Sequence, residues 1–214
     1  MHTLHITSGE YFNALLKTKY GQDGVPFNEA MMTGNTVAKI FSEQFVSFRA
    51  KAHGVSEKQY LEKLKPFLIA TENLRRYDEI CLWFGTDTFC QTNMLCVTAY
   101  LETQGYRGRV YAVYIDDETG EITKSKTLIS LDGKQALYEK ILVEKTFAVC
   151  EDQILQNAAE LYFDYLSEDG FLARTIKENQ DLSRIGLIKK LLSVSREYGL
   201  SDLQAEELIR KYGK

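Results

Sequence analysis

The chain has 214 residues, with 26 Lys+Arg against 30 Asp+Glu for a formal charge of −4, and it is 44% hydrophobic and 26% charged. That composition is globular and excludes the disordered, collagen-like and disulfide-dense classes. The longest apolar runs, such as Ile80-Cys81-Leu82-Trp83-Phe84, fall far short of the ~20 residues needed to cross a bilayer, so no membrane partner is expected.

Several chemistries are disfavoured at the outset. The opening Met1-His2-Thr3-Leu4-His5-Ile6 lacks the charged start, apolar middle and small-residue cleavage site of a secretory signal, so cytoplasmic residence is expected. Cys81, Cys90, Cys96 and Cys150 have no paired spacing and read as reduced thiols. With only His2, His5 and His53 beside them, no metal site is expected. The mild acidic balance gives no electrostatic footprint for nucleic acid, which is not an expected partner.

Residues 3 to 7 form a short β-branched run ending at Ser8-Gly9, and Tyr11, Phe12, Leu15, Leu16 and Tyr20 then recur at helical spacing. Val25-Pro26-Phe27-Asn28 reads as a short second strand, which Pro26 confines to an edge or a strand start. Val37, Ile40, Phe41, Phe45, Phe48 and Ala52 predict a helix. Ser56-x-x-Gln59 is a capping box opening the next helix, and Pro66 is expected to kink or restart it.

Residues 80 to 84 suit a strand buried on both faces, as parallel strands are. Gly85-Thr86-Asp87 ends the strand, a helix is predicted over 88 to 104, and residues 110 to 115 form a further apolar run. Strand, helix and strand therefore alternate, which predicts a Rossmann-like open, mainly parallel α/β sheet flanked by helices. Residues 127 to 131 read as an added strand or hairpin. Beyond Asp132 the chain reads as helical, with a last helix opened by the capping box Ser201-x-x-Gln204. The expected division is an α/β domain over 1–130 and a helical region over 131–214 packed upon it.

In an open parallel sheet, ligands bind outside the strand carboxyl ends where strand order reverses. For an order 2-1-3-4, the turns after the first and third strands line one crevice. Thr7, Ser8, Gly9 and Glu10 then face Gly85, Thr86, Asp87, Cys90 and Gln91. Two helix N-termini there favour a small anionic ligand of phosphate type. The same residues also fit two capping boxes, Thr7-x-x-Glu10 and Thr88-x-x-Gln91, which need no ligand. Neither turn is a GxGxxG or GxxxxGK[ST] loop, so no cofactor is assigned.

Single residues carry weaker signals. His5, mid-strand, reads as a hydrogen-bonded core residue or a general base. Cys90 lies where a helix dipole lowers a thiol pKa, but no neighbouring His supports a nucleophile. Trp83 packs in the sheet with an N–H that needs a partner. Asp87 follows a buried strand and is expected to project from its carboxyl end, with Thr88 as the helix cap.

Leu4-His5-Ile6-Thr7-Ser8-Gly9-Glu10, Asn28-Glu29-Ala30-Met31-Met32-Thr33-Gly34-Asn35 and Leu82-Trp83-Phe84-Gly85-Thr86-Asp87-Thr88-Phe89-Cys90-Gln91-Thr92-Asn93 resemble a bacterial family, the domain of unknown function 1835, over approximately residues 3 to 116. The resemblance implies an α/β domain in which His5, Gly9, Glu29, Gly34, Trp83, Asp87 and Gln91 fall on motif positions, with Arg49 a further family position. It implies no activity. Asn35 stands where related sequences often carry proline. As a set, Glu29, Asp87, His5 and Arg49 read either as a pocket for acid-base or ligand chemistry or as a buried ion-pair network.

The expected function is therefore a small-molecule or anion-binding crevice at the strand carboxyl ends, formed by His5, Ser8, Gly9, Glu29, Gly34, Arg49, Trp83, Asp87 and Gln91. The competing expectation is a regulatory or interaction protein using the C-terminal helices. Residues 171 to 214 carry nine Lys/Arg against six Asp/Glu, and a helix-turn-helix-like spacing there lacks a marked recognition helix.

Overall fold

The computed structural model describes residues 2–213. It is an α/β protein built on one five-stranded sheet of order β2-β1-β3-β4-β5. The strands are β1 (Thr3–Thr7), β2 (Val25–Pro26), β3 (Glu79–Phe84), β4 (Arg109–Ile115) and β5 (Ile122–Ile129). The first four run parallel, and β5 returns antiparallel to β4 as an edge hairpin.

Alternation places Leu4 and Ile6 on one face of β1 and Thr3, His5 and Thr7 on the other. The register Thr3↔Glu79, His5↔Cys81 and Thr7↔Trp83 carries the second face onto β3. All six residues of β3 are buried, as expected for a central strand covered on both sides. On the His5 side, Tyr20 from α1 (Gly9–Tyr20) packs on Trp83 with ring centroids 5.5 Å apart. The β4–β5 turn folds against the same helix, where the Tyr11 and Tyr20 hydroxyls donate to the carbonyls of Asp117 and Gly120.

The long crossover from β2 to β3 contains α2 (Glu43–Ala52) and α3 (Glu57–Thr71), and α4 (Thr88–Thr103) joins β3 to β4. Twelve of the sixteen α4 residues are buried, because helices enclose it on both flanks. Tyr100 meets Phe41 and Phe67 on one side. On the other lie α5 (Lys134–Tyr138), which continues into a π-helical turn (Glu139–Val143), and α6 (Gln153–Leu166). The chain closes with α7 (Phe171–Glu178), α8 (Arg184–Val194) and α9 (Asp202–Tyr212).

The segment between α8 and α9, residues 195–200, lies over the carboxyl edge of the sheet. Thr88 Oγ1 donates to the Glu197 carbonyl at 3.2 Å, Tyr198 OH to Asp164 Oδ2 at 2.6 Å, and Arg196 Nη2 to Asp116 Oδ2 at 2.7 Å. Gly199 is in the left-handed region (φ 67°), and a Cβ there would overlap the Asp87 carboxylate. Only glycine permits that approach.

Four local expectations are corrected. Asp87, not Thr88, caps α4: its Oδ1 accepts from Cys90 N at 2.9 Å, which frees the Thr88 hydroxyl to bind Glu197. Ser8 occupies the cap position of α1 without a side-chain bond, so Thr7-x-x-Glu10 is not a capping box. Val37, Ile40 and Phe41 precede α2 in a turn, with Phe41 at φ 60°, and Ser42 is the cap. Pro66 does not restart the helix but lies inside a continuous α3, buried packing of Tyr60, Leu64, Phe67 and Ala70 outweighing the one backbone bond that proline removes.

Candidate functional site

The loop after β2 is drawn inward by Phe27, Met31 and Met32, all at most 1% exposed. Its polar backbone therefore needs internal partners. Asn93, from the buried α4, provides two of them: Oδ1 accepts from Met31 N at 2.8 Å and Nδ2 donates to the Glu29 carbonyl at 2.6 Å. Glu29 itself is fully enclosed. Its Oε1 accepts from Ala30 N at 2.7 Å, Arg49 Nη2 at 2.8 Å and His53 Nε2 at 2.6 Å, and its Oε2 accepts from Tyr60 OH.

Arg49, 0% exposed, completes the network from α2. Its Nη1 donates to the carbonyls of Thr33 and Asn35, and Nη2 to that of Ala30. The guanidinium thus threads the loop that Gly34 turns, where φ is 71° and a Cβ would overlap that of Ala52. Burial by itself raises the Glu29 pKa, but the hydrogen bond from His53 and the charge of Arg49 reverse this and hold the carboxyl down to about 2. Burial and the adjacent Glu29 charge push the Tyr60 hydroxyl far up, so it remains a donor.

Glu29 and His53 of this network border a cleft of about 830 Å³ at the carboxyl ends of β1 and β2. Gly9 at the start of α1, Asn28, Glu29, Lys51 and His53 line one wall; Arg184, Ser201, Gln204, Glu206, Glu207 and Arg210 line the other. Gln204 is 5% exposed, and its Oε1 is used in the capping box with Ser201. Its Nε2 is a buried donor with no partner. Lys51 has no ion-pair partner among the described residues. Arg184 and Arg210 pair with Glu206 and Glu207 only at 3.5 and 3.9 Å, on exposed side chains, where such pairs are weak.

The remaining anticipated residues lie elsewhere. His5 faces Trp83, whose Nε1 donates to His5 Nδ1 at 2.9 Å, and burial lowers the His5 pKa. Each residue thereby supplies the other's partner. Ser8 and Asp87 line a crevice of about 380 Å³ between β1 and β3, with Arg196, Gly199 and Leu200 across its mouth. Asp87 also borders a cleft of about 530 Å³ with Asp116, Asp117, Glu160, Arg196 and Glu197. Burial raises the Asp87 pKa against the opposing Cys90 N–H bond. Gln91 Nε2 donates to the Gly85 carbonyl while its Oε1 is buried without a partner, and burial raises the Cys90 thiol well above its ordinary range, so it is not an activated nucleophile.

His5, Glu29 and Asp87 line no common cleft among these three. Glu29 and Arg49 do converge, with His53 and Tyr60 as partners that the sequence did not single out. The only local hint was position: His53 follows the last turn of α2, and Tyr60 lies one turn into the capped α3. Nothing local brings Gln204 and Arg210 opposite them. No protein-family model, curated protein or solved structure matches the chain.

Proposed function

We propose that this chain is a cytoplasmic member of the domain of unknown function 1835 family, with a Rossmann-like domain over 1–130 and a helical region over 131–214, that binds a small anionic molecule at the strand carboxyl ends. The ligand belongs in the cleft between the residue 28–34 loop and α9. The observation that carries this reading is the pairing of an unpartnered buried donor, Gln204 Nε2, with Lys51, Arg184 and Arg210 around one cleft of ligand size. Gly9 adds the N-terminus of α1, whose first-turn N–H groups receive no side-chain cap.

The cleft beside Asp87 is the more acidic of the two. Its acidic groups outnumber its one cation, Arg196, and the α4 N-terminus is already occupied by the Asp87 carboxylate. A phosphate placed there would meet like charge. A nucleic-acid role for α9 gains no support either: the helix turns Gln204, Ala205 and Leu208 inward, and its Arg210, like Arg184 of α8, pairs with an α9 glutamate.

Thermal unfolding in the presence of inorganic pyrophosphate tests the assignment. A ligand that binds only the folded state raises the midpoint with concentration, because it stabilises the fold by about 2.7 kcal/mol at 100 times Kd. The shift is expected in wild type and lost in a Lys51→Ala/Arg210→Ala chain. No shift in wild type, or an undiminished shift in the double variant, overturns the site.

A further inference from the structure

The two ring nitrogens of His53 have different surroundings. Nε2 lies 2.6 Å from Glu29 Oε1. Because Glu29 is ionised and accepts only, Nε2 carries the proton, which leaves Nδ1 of the neutral ring with a free lone pair. Nδ1 has no hydrogen-bond partner among the described residues, and the side chain, 18% exposed, forms part of the cleft wall. Glu29 cannot turn away, since Arg49, Tyr60 and Ala30 N hold its two oxygens. A carboxylate fixed on one imidazole nitrogen orients the ring and fixes the tautomer.

We propose that His53 Nδ1 is a phosphoryl acceptor for a small acyl phosphate bound in this cleft; the proposal rests on the anion-site reading above. The Nδ1 lone pair forms the N–P bond while the P–O bond to the acyl group breaks. The acyl oxygen leaves with the electron pair as a carboxylate. No proton moves: Nε2–H stays directed at Glu29, and the positive charge that develops on the ring falls against that carboxylate. Lys51, two residues before His53, and Arg210 across the cleft are the cations available to the phosphoryl oxygens. Solvent-exposed His2 and sheet-bound His5, whose Nδ1 is taken by Trp83, lack this arrangement.

The test is incubation of the full chain with acetyl phosphate, followed by mapping of acid-labile, alkali-stable phosphate to each histidine. His53 is expected to be labelled at least about tenfold faster than His2, the scale of a positioned second-layer carboxylate. The ratio should fall to about one when the same chain is unfolded in urea, a comparison that needs no variant to fold. Equal labelling of His53 and His2 in the folded chain, or none at His53, overturns the proposal. The pyrophosphate shift of wild type separates the two readings: a shift without His53 labelling refutes only the phosphoryl acceptor, and absence of both refutes the anion site as well.

Discussion

Glu29 and Arg49 are the residues whose chemistry most constrains this protein. Each is buried, and a buried ion of either sign costs several kcal/mol unless its partner and hydrogen bonds are in place. Here the partner and most of the hydrogen bonds are in place: four donors converge on Glu29 and three loop carbonyls on Arg49, whose Nε alone is left without a partner. Removing one partner leaves the other uncompensated, so Arg49→Ala is expected to cost about 3–5 kcal/mol in urea unfolding. An exposed control, Arg75→Ala, should change stability by no more than about 0.5 kcal/mol. The Glu29 pKa is lower in the folded chain than its ordinary value of 4.5. Its contribution is therefore fully present above about pH 4.5 and is lost as pH falls toward about 2. Urea midpoints of wild type and Glu29→Gln at pH 7 and pH 3 check this: the gap between them should narrow at the lower pH.

At the scale of elements, the carboxyl edge is set by how α4 begins. Asp87 both caps that helix and bears on Gly199 of the covering segment. Asp87→Ala removes the cap acceptor and should cost about 1 kcal/mol. Asp87→Asn retains an acceptor and removes a buried charge, so it should cost less than Asp87→Ala at pH 7. The pH sign is opposite to that of Glu29. Burial raises the folded pKa of Asp87, so its ionisation opposes folding, and the relative advantage of Asn should shrink as pH falls through the Asp87 titration. Chemical denaturation of the three chains across pH decides the matter. Two capping boxes legible in the sequence, Ser56-x-x-Gln59 and Ser201-x-x-Gln204, form as read. Thr88-x-x-Gln91 has the same signature but fails, because Gly85 brings the Asp87 carboxylate to Cys90 N and Glu197 takes the Thr88 hydroxyl. That competition comes from a residue more than a hundred positions away.

For the whole molecule, the helices after β5 complete the core. Tyr138, Ile141 and Leu142 are at most 1% exposed, as are Tyr162 and Leu191, and α5 and α6 cover one flank of α4. A fragment ending at residue 130 would expose that flank. It is expected to bind a hydrophobic dye and to melt without a sharp transition, whereas the full chain unfolds in one step. A sharp, independent transition in the fragment would show that residues 1–130 fold alone.

The sequence by itself determined the strand-helix-strand alternation and the buried central strand over 80–84, while the order that brings β1 beside β3 entered only as a condition that the fold then met. The first two follow from hydrophobic period and chain connectivity, which are local and legible. Within the polar set, it grouped Glu29 with Asp87 and His5 and added Arg49 as a fourth member. Tertiary structure decided otherwise: His5 is engaged by Trp83 across the sheet, Asp87 by the α4 backbone, and Glu29 by His53 and Tyr60 from the crossover helices. Only packing brings α9, with Gln204 and Arg210, across from His53. Hydrogen bonds select partners by distance and angle in space, and residues 24 to more than 150 positions apart carry no local pattern announcing that they will meet.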